Sequence, residues 1–189
     1  MFRDGLIIAF LALRPIRLKN LAEMTLGQHL YREGETWWLY FSPDEVKNRE
    51  QLEMPWPPAL KDALEAWLAR WQPILCASRG RWAREIGNAV WVSSHGSPMA
   101  KQTLYDQIVK RTRQAFGDSV NPHLVRDIAA TTLADIDPAH ALIAAPLLGH
   151  RDFRTTQRHY LHAQRLSGTR RYQAELLRLR HRKNKRIDD

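Results

Sequence analysis

The sequence predicts a mostly α (α+β) domain, a helical body that carries a small antiparallel three-stranded sheet near its N-terminus. Two observations carry that expectation. Apolar residues recur at helical spacing before residue 25 and again through most of the chain after Pro57. Between Thr25 and Pro55 the pattern changes to short aromatic and aliphatic runs divided by turn residues, which reads as a strand meander.

Taken in order, residues 5–13 form an apolar helix that runs into Arg14-Pro15, and the stripe resumes with Leu18, Leu21 and Met24. His29–Arg32, Thr36–Phe41 and Gln51–Met54 are the three strands, separated by Glu33-Gly34-Glu35 and by Ser42–Arg49. Pro57-Pro58 open the next helix, in which Leu60, Leu64, Trp67, Leu68 and Trp71 make an amphipathic stripe. Residues 77–88, with Arg79, Arg81 and Arg84, read as a surface loop, and Val90-Trp91-Val92 as a short strand. Helices follow at 99–115, 122–135, 138–147, 152–163 and 167–181. With no internal repeat and no low-complexity linker, residues 1–189 are expected to form one domain, with 182–189 a flexible basic tail.

Composition narrows the function classes. The chain has 189 residues, enough for one full domain, and 44% hydrophobic residues, an ordinary share for a globular core. Its net charge of +9 is not ordinary and favours a polyanionic partner. The longest apolar run, Leu6 to Leu13, is far shorter than the roughly 20 residues of a spanning helix. It also lacks the flanks of a signal peptide. Cys76 is the single cysteine, which excludes a disulfide framework and a cysteine-based metal site and fits a reducing cytoplasmic setting. No His/Asp/Glu cluster shows metal-ligand spacing, so no metal is expected. His29, His95, His140, His159, His162 and His181 read as surface or loop groups, and the seven tryptophans as core and sheet packing.

The chemistry concentrates in Asn121-Pro122-His123-Leu124-Val125-Arg126, Leu148-Gly149-His150 and Thr155-Thr156-Gln157-Arg158-His159-Tyr160. Breaking a DNA strand by transesterification needs a nucleophile, cations on the non-bridging oxygens and a proton for the leaving 5′-oxygen. Tyrosine supplies a nucleophile whose phosphate ester stores the bond for rejoining. Arginine presents a permanently charged fork to phosphate oxygens. Histidine or lysine moves the protons. His123 and Arg126 are three apart and share a face of the helix begun at Pro122. His150 follows Gly149 at a loop-to-helix junction, and Tyr160 lies ten residues later, on or beside a short helix that Thr155 or Thr156 caps.

These three motifs, in this order, resemble the tyrosine recombinase (phage integrase) family. Upstream, Ala12-Leu13-Arg14-Pro15-Ile16-Arg17-Leu18-Lys19-Asn20-Leu21 resembles the family's first-arginine motif, which implies a catalytic role for Arg14. The meander resembles the small sheet whose hairpin carries the family's catalytic lysine, and Lys47 stands at the matching position, with Lys19 and Lys61 as alternatives. The likeness covers nearly the whole chain, although singly each residue has a plainer reading as a surface charge, a helix cap or a core aromatic. It departs from the usual pattern in three places. Arg17 stands where most members have a glutamate, one extra residue separates His150 from Tyr160, and the usual N-terminal DNA-clamping domain is expected to be absent.

What the resemblance implies is site-specific DNA recombination by a DNA breaking-rejoining enzyme acting through a 3′-phosphotyrosyl intermediate. Tyr160 would be the nucleophile, Arg14 and Arg126 the phosphate clamp, Lys47 the proton donor, His123 a proton-transfer partner of Tyr160, and His150 a phosphate ligand. No cofactor is implied; the partners would be double-stranded DNA and further copies of the chain, as a tetramer on DNA. A type IB topoisomerase-like enzyme shares this chemistry, and a catalytically inactive or truncated DNA-binding remnant of a mobile-element integrase would keep the charge without it. The Arg-rich stretch after Arg165 reads as an amphipathic helix over 167–180 and a basic tail, suited to phosphate contact or to docking on a neighbouring protomer.

Overall fold

Helix α1 (Phe2–Leu13) turns the apolar spacing of the first segment into a buried face, with Leu6, Ile7, Phe10 and Leu11 all inside the core. The computed structural model describes residues 2–47, 49–78 and 87–136. The helices expected at 138–147, 152–163 and 167–181, and the tail at 182–189, lie outside the described residues, as do His150 and Tyr160. Around α1 pack α5 (Lys101–Phe116), α6 (Pro122–Ile136) and the helical stretch that begins at Pro58. The Phe10 ring stacks on Trp56 with centroids 4.5 Å apart, so the first helix is keyed to the segment that leaves the sheet.

A charged knot holds the same helix from its polar side. Asp4 is only 3% exposed, yet its Oδ1 accepts from Arg3 at 2.6 and 2.9 Å and its Oδ2 from Arg111 of α5 at 2.9 Å. Burial alone would raise the Asp4 carboxyl; the hydrogen bonds and charges of Arg3 and Arg111 outweigh it and hold the group below its ordinary value.

After Arg14-Pro15, a short helix α2 (Leu18–Ala22) buries Leu21 and packs on α5. The sheet follows as β1 (Leu30–Glu33), β2 (Thr36–Phe41) and β3 (Leu52–Pro55), antiparallel in the order β1-β2-β3. Leu30 faces Leu39 and Leu39 faces Met54, and these three form one buried row across the sheet. The expected β1 and β3 each slide by one residue toward the C-terminus, while β2 falls where the alternation placed it. The tight β1–β2 turn uses Gly34 at φ +56°, a conformation that side-chain-bearing residues adopt only with strain.

Three expectations need correction. His29, expected as a surface or loop group, lies in the turn before β1 but is not at the surface: it is 5% exposed, stacked on Phe41 with centroids 4.9 Å apart, and hydrogen-bonded at both ring nitrogens. Val90–Val92 is not a strand. Its neighbourhood makes only isolated pairings, Thr25 with Ala89 and Val92 with Pro98, because Pro98 has no N–H with which to extend a ladder. The tryptophans do not all pack inside. Trp56, Trp67 and Trp91 are core, but Trp71 is 36% exposed and touches the Phe2 ring and the Arg70 guanidinium.

The helix opened by Pro57-Pro58 also runs further than its stripe suggests. A 3₁₀ turn (Pro58–Leu60) leads into α3 (Lys61–Ala66), a π-helical turn (Trp67–Trp71) and α4 (Gln72–Ala77). The π turn precedes Pro73, whose ring would collide with the carbonyl four residues back in a regular helix. The Gln72 amide instead reaches back five residues to the Trp67 carbonyl. Leu64 and Trp67 remain fully buried, and Trp67 Nε1 donates to the Val90 carbonyl at 2.9 Å.

Candidate active site

The start of α6 is built by a side-chain cap. Asn121 Oδ1 accepts from the Leu124 amide at 2.9 Å, and Pro122 takes the first helical position, where its missing N–H costs nothing. That start puts His123 and Arg126 on one side of the helix, one turn apart. His123 is exposed, whereas Arg126 is only 8% exposed and its Nη1 donates to the Pro15 carbonyl. The contact ties α6 directly to the Arg14–Arg17 segment, more than a hundred residues away in sequence.

A cleft of about 480 Å³ opens at this junction, lined by Arg17, Leu18 and Lys19, by Lys101 and Tyr105 of α5, and by Pro122, His123, Arg126 and Asp127. The packing of α2 on α5 brings Lys101 beside Arg17 and Lys19. Four permanent cations and a histidine thus share the cleft with one carboxylate. The Arg126 guanidinium responds to this setting: burial, then the nearby Arg17 charge, push it down to about 10, with Asp127 acting in the opposite direction. It remains protonated at neutral pH. Arg17 is likewise lowered by burial. Partly desolvated, like-charged donors of this kind are arranged to receive an anion with several acceptor oxygens.

The expected site residues fall into four groups. His123 and Arg126 meet in the cleft. Arg14 is half-buried just after α1 and outside the cleft lining. Its Nη1 donates to the Leu13 carbonyl at 3.0 Å, while its buried Nε has no hydrogen-bond partner among the described residues. Lys47 is exposed in the β2–β3 loop. Of the alternatives for the lysine, Lys61 is paired with Glu35 at 3.0 Å beside the sheet, and Lys19 lines the cleft while pairing with Glu23 at 3.6 Å. His150 and Tyr160 lie outside the described residues.

Sequence reasoning missed Lys101 and Tyr105 altogether and noted Arg17 only as a departure. The signal for Arg17 was present, a cation in place of an acid three residues after Arg14. Lys101 and Tyr105 had none, because only tertiary packing brings α5 to this place. Among the described residues no group of three or more His, Cys, Asp or Glu could hold a metal ion, and no helix is long and apolar enough to cross a membrane.

Comparison with known proteins bears on the family and the fold. The sequence model of the phage integrase family matches residues 1–166. Tyrosine recombinase XerC of Bifidobacterium longum (strain DJO10A) is 28% identical over 162 residues, which are 83% of this chain and 42% of the relative. Tyrosine recombinase XerC of Corynebacterium efficiens is 30% identical over 156 residues, 82% of this chain and 45% of the relative. The chain therefore spans less than half the length of these relatives. Among solved structures, XerA recombinase superposes with a TM-score of 0.67 at 17% identity, over 90% of this chain and 58% of that one. XerH recombinase bound to its palindromic difH substrate gives 0.63 at 20% identity, over 89% and 45%. At such identities the structures speak for the fold, a mostly helical body with a small antiparallel sheet. With its fold shared by these recombinases and its sequence matched from residue 1 to 166, the chain belongs to the phage integrase family of tyrosine recombinases.

Proposed function

We propose that this chain carries the DNA-breaking and rejoining chemistry of a site-specific recombinase, and that the cleft between α2, α5 and α6 receives the scissile phosphodiester. The observation that carries the reading is the meeting of buried Arg126 with Arg17, Lys19, Lys101 and His123 around one cavity. The relatives named recombinases, and the XerH structure with its DNA substrate, support DNA as the partner.

In this reading the Tyr160 hydroxyl attacks phosphorus, its proton passes toward His123, and the bond from phosphorus to the 5′-oxygen breaks. Lys47 gives a proton to that oxygen. One phosphodiester is exchanged for another, so rejoining is the same step in reverse, with a second 5′-hydroxyl as nucleophile and no nucleotide energy source. Arg126 and Arg14 hold the non-bridging oxygens, where charge grows in the transition state, and His150 adds a hydrogen bond. Exchange between two duplexes breaks four strands, so four copies on DNA fit one nucleophile per chain.

The test uses a duplex selected from a random pool for tight binding and nicked so that the cleaved end diffuses away. A covalent protein–DNA adduct on a denaturing gel, absent in Tyr160→Phe, is the expected result. No adduct with any selected duplex overturns the catalytic reading, and an adduct that persists in Tyr160→Phe moves the nucleophile elsewhere.

A further inference from the structure

The β2–β3 loop is anchored far more firmly than a surface turn requires. Glu45, two residues before Lys47, is the centre of the anchorage. Its Oε1 accepts from His29 Nε2 at 2.7 Å, and its Oε2 accepts from the Ser42 amide at 2.9 Å and the Ser42 hydroxyl at 2.7 Å. Its backbone carbonyl accepts from Asn20 Nδ2 at 3.1 Å. The next residue, Val46, is buried in the main core.

Both outer partners are themselves fixed. His29 is buried against Phe41, and the Thr25 amide donates to its Nδ1 at 3.0 Å. That bond leaves Nε2 as the protonated nitrogen facing Glu45. Asn20 is buried on α2, directly after Lys19, so one short helix both borders the cleft and grips the loop. The Glu45 carboxyl is accordingly held at about 2, chiefly by the His29 hydrogen bond. A carboxylate needed only for solubility would stand in water.

We propose that His29, Glu45 and Asn20 form a clamp that positions Lys47 with respect to the cleft, which makes them positioning residues for proton delivery to the leaving 5′-oxygen. The inference rests on the reading of Lys47 as the proton donor. Its physical content is preorganisation: with the backbone from Ser42 to Val46 held, the lysine searches only its own side-chain rotamers.

The test compares two versions of the nicked duplex, one with the natural 5′-oxygen at the scissile position and one with sulfur in its place. A thiolate is a far better leaving group than an alkoxide and departs without a proton. Single-turnover cleavage is measured for the wild-type chain, Lys47→Ala, His29→Phe and Glu45→Ala. His29→Phe keeps a ring against Phe41, and Glu45→Ala reaches the same junction from its more exposed side. Loss of the acid should slow Lys47→Ala on the oxygen substrate by on the order of 10² or more. The two clamp variants should slow by roughly tenfold, as a displaced catalytic group does. All three should cut the sulfur substrate at close to the wild-type rate. Clamp variants that cut the oxygen substrate normally, or that slow both substrates alike while sulfur rescues Lys47→Ala, overturn the clamp alone. Failure of sulfur to rescue Lys47→Ala overturns the lysine's role and the clamp with it.

Discussion

Two clusters of charge in this molecule use arginine in opposite ways. At the foot of α1, Arg3 and Arg111 close on the buried carboxylate of Asp4, and every charge there has an opposite partner within 2.9 Å. At the mouth of α6, the Arg17 charge depresses Arg126 rather than supporting it, with Lys19 and Lys101 alongside and Asp127 as partial relief. The first arrangement serves the fold, and in the proposed function the second serves a ligand. Stability selects against crowding like charges in a partly desolvated cleft, so their presence there points to an anion that completes the set.

If that division is right, the two clusters must fail differently. Asp4→Ala leaves two arginines facing a buried void. It should cost about 3–5 kcal/mol in urea unfolding, the range for breaking a buried ion pair from one side. A value near zero would show that the knot is not what holds α1 to α5.

Acid should find a further weak point. Asp4 and Glu45 both have carboxyls lowered in the folded state, Glu45 to about 2 from an ordinary 4.5. Their stabilisation is fully present above the unfolded value and is lost as pH falls toward the folded one. Unfolding midpoints should therefore drop between about pH 4.5 and pH 2, and Glu45→Gln should flatten part of that slope. An unchanged slope would detach Glu45 from the stability of the loop.

The smallest effect belongs to a single cleft cation. Arg17→Gln should make the salt dependence of DNA binding shallower by about 0.9 in log K against log salt, the share of one phosphate contact. A slope that stays at the wild-type value would remove Arg17 from the interface without touching the rest of the site.

Much of this was legible in the chain, for identifiable reasons. The α1 stripe, the β2 alternation and the helix begun at Pro122 are local patterns, and the elements appear close to where those patterns put them. His123 and Arg126 were found because a helix turn joins residues three apart. What escaped was whatever depends on distant partners. His29 looked like a surface group because Glu45, sixteen residues on, becomes its partner only when the β2–β3 loop folds back. The π turn before Pro73 was invisible because an amphipathic stripe reads the same whether amides reach back four residues or five. Lys101 joined the cleft through the packing of α2 on α5, which no spacing in the sequence announces.

The contrast between the two clusters is tested most directly by Arg126→Ala, assayed for both adduct formation on the nicked duplex and thermal unfolding. If Arg126 serves the phosphodiester, adduct formation measured well below the melting temperature should fall by on the order of 10²–10³, as when one preorganised donor to a transition-state oxyanion is lost, far more than the moderate destabilisation from losing its contact with the Pro15 carbonyl explains. Adduct formation at the wild-type rate, or a loss that merely follows unfolding, would contradict the assignment of this cleft to the scissile phosphate.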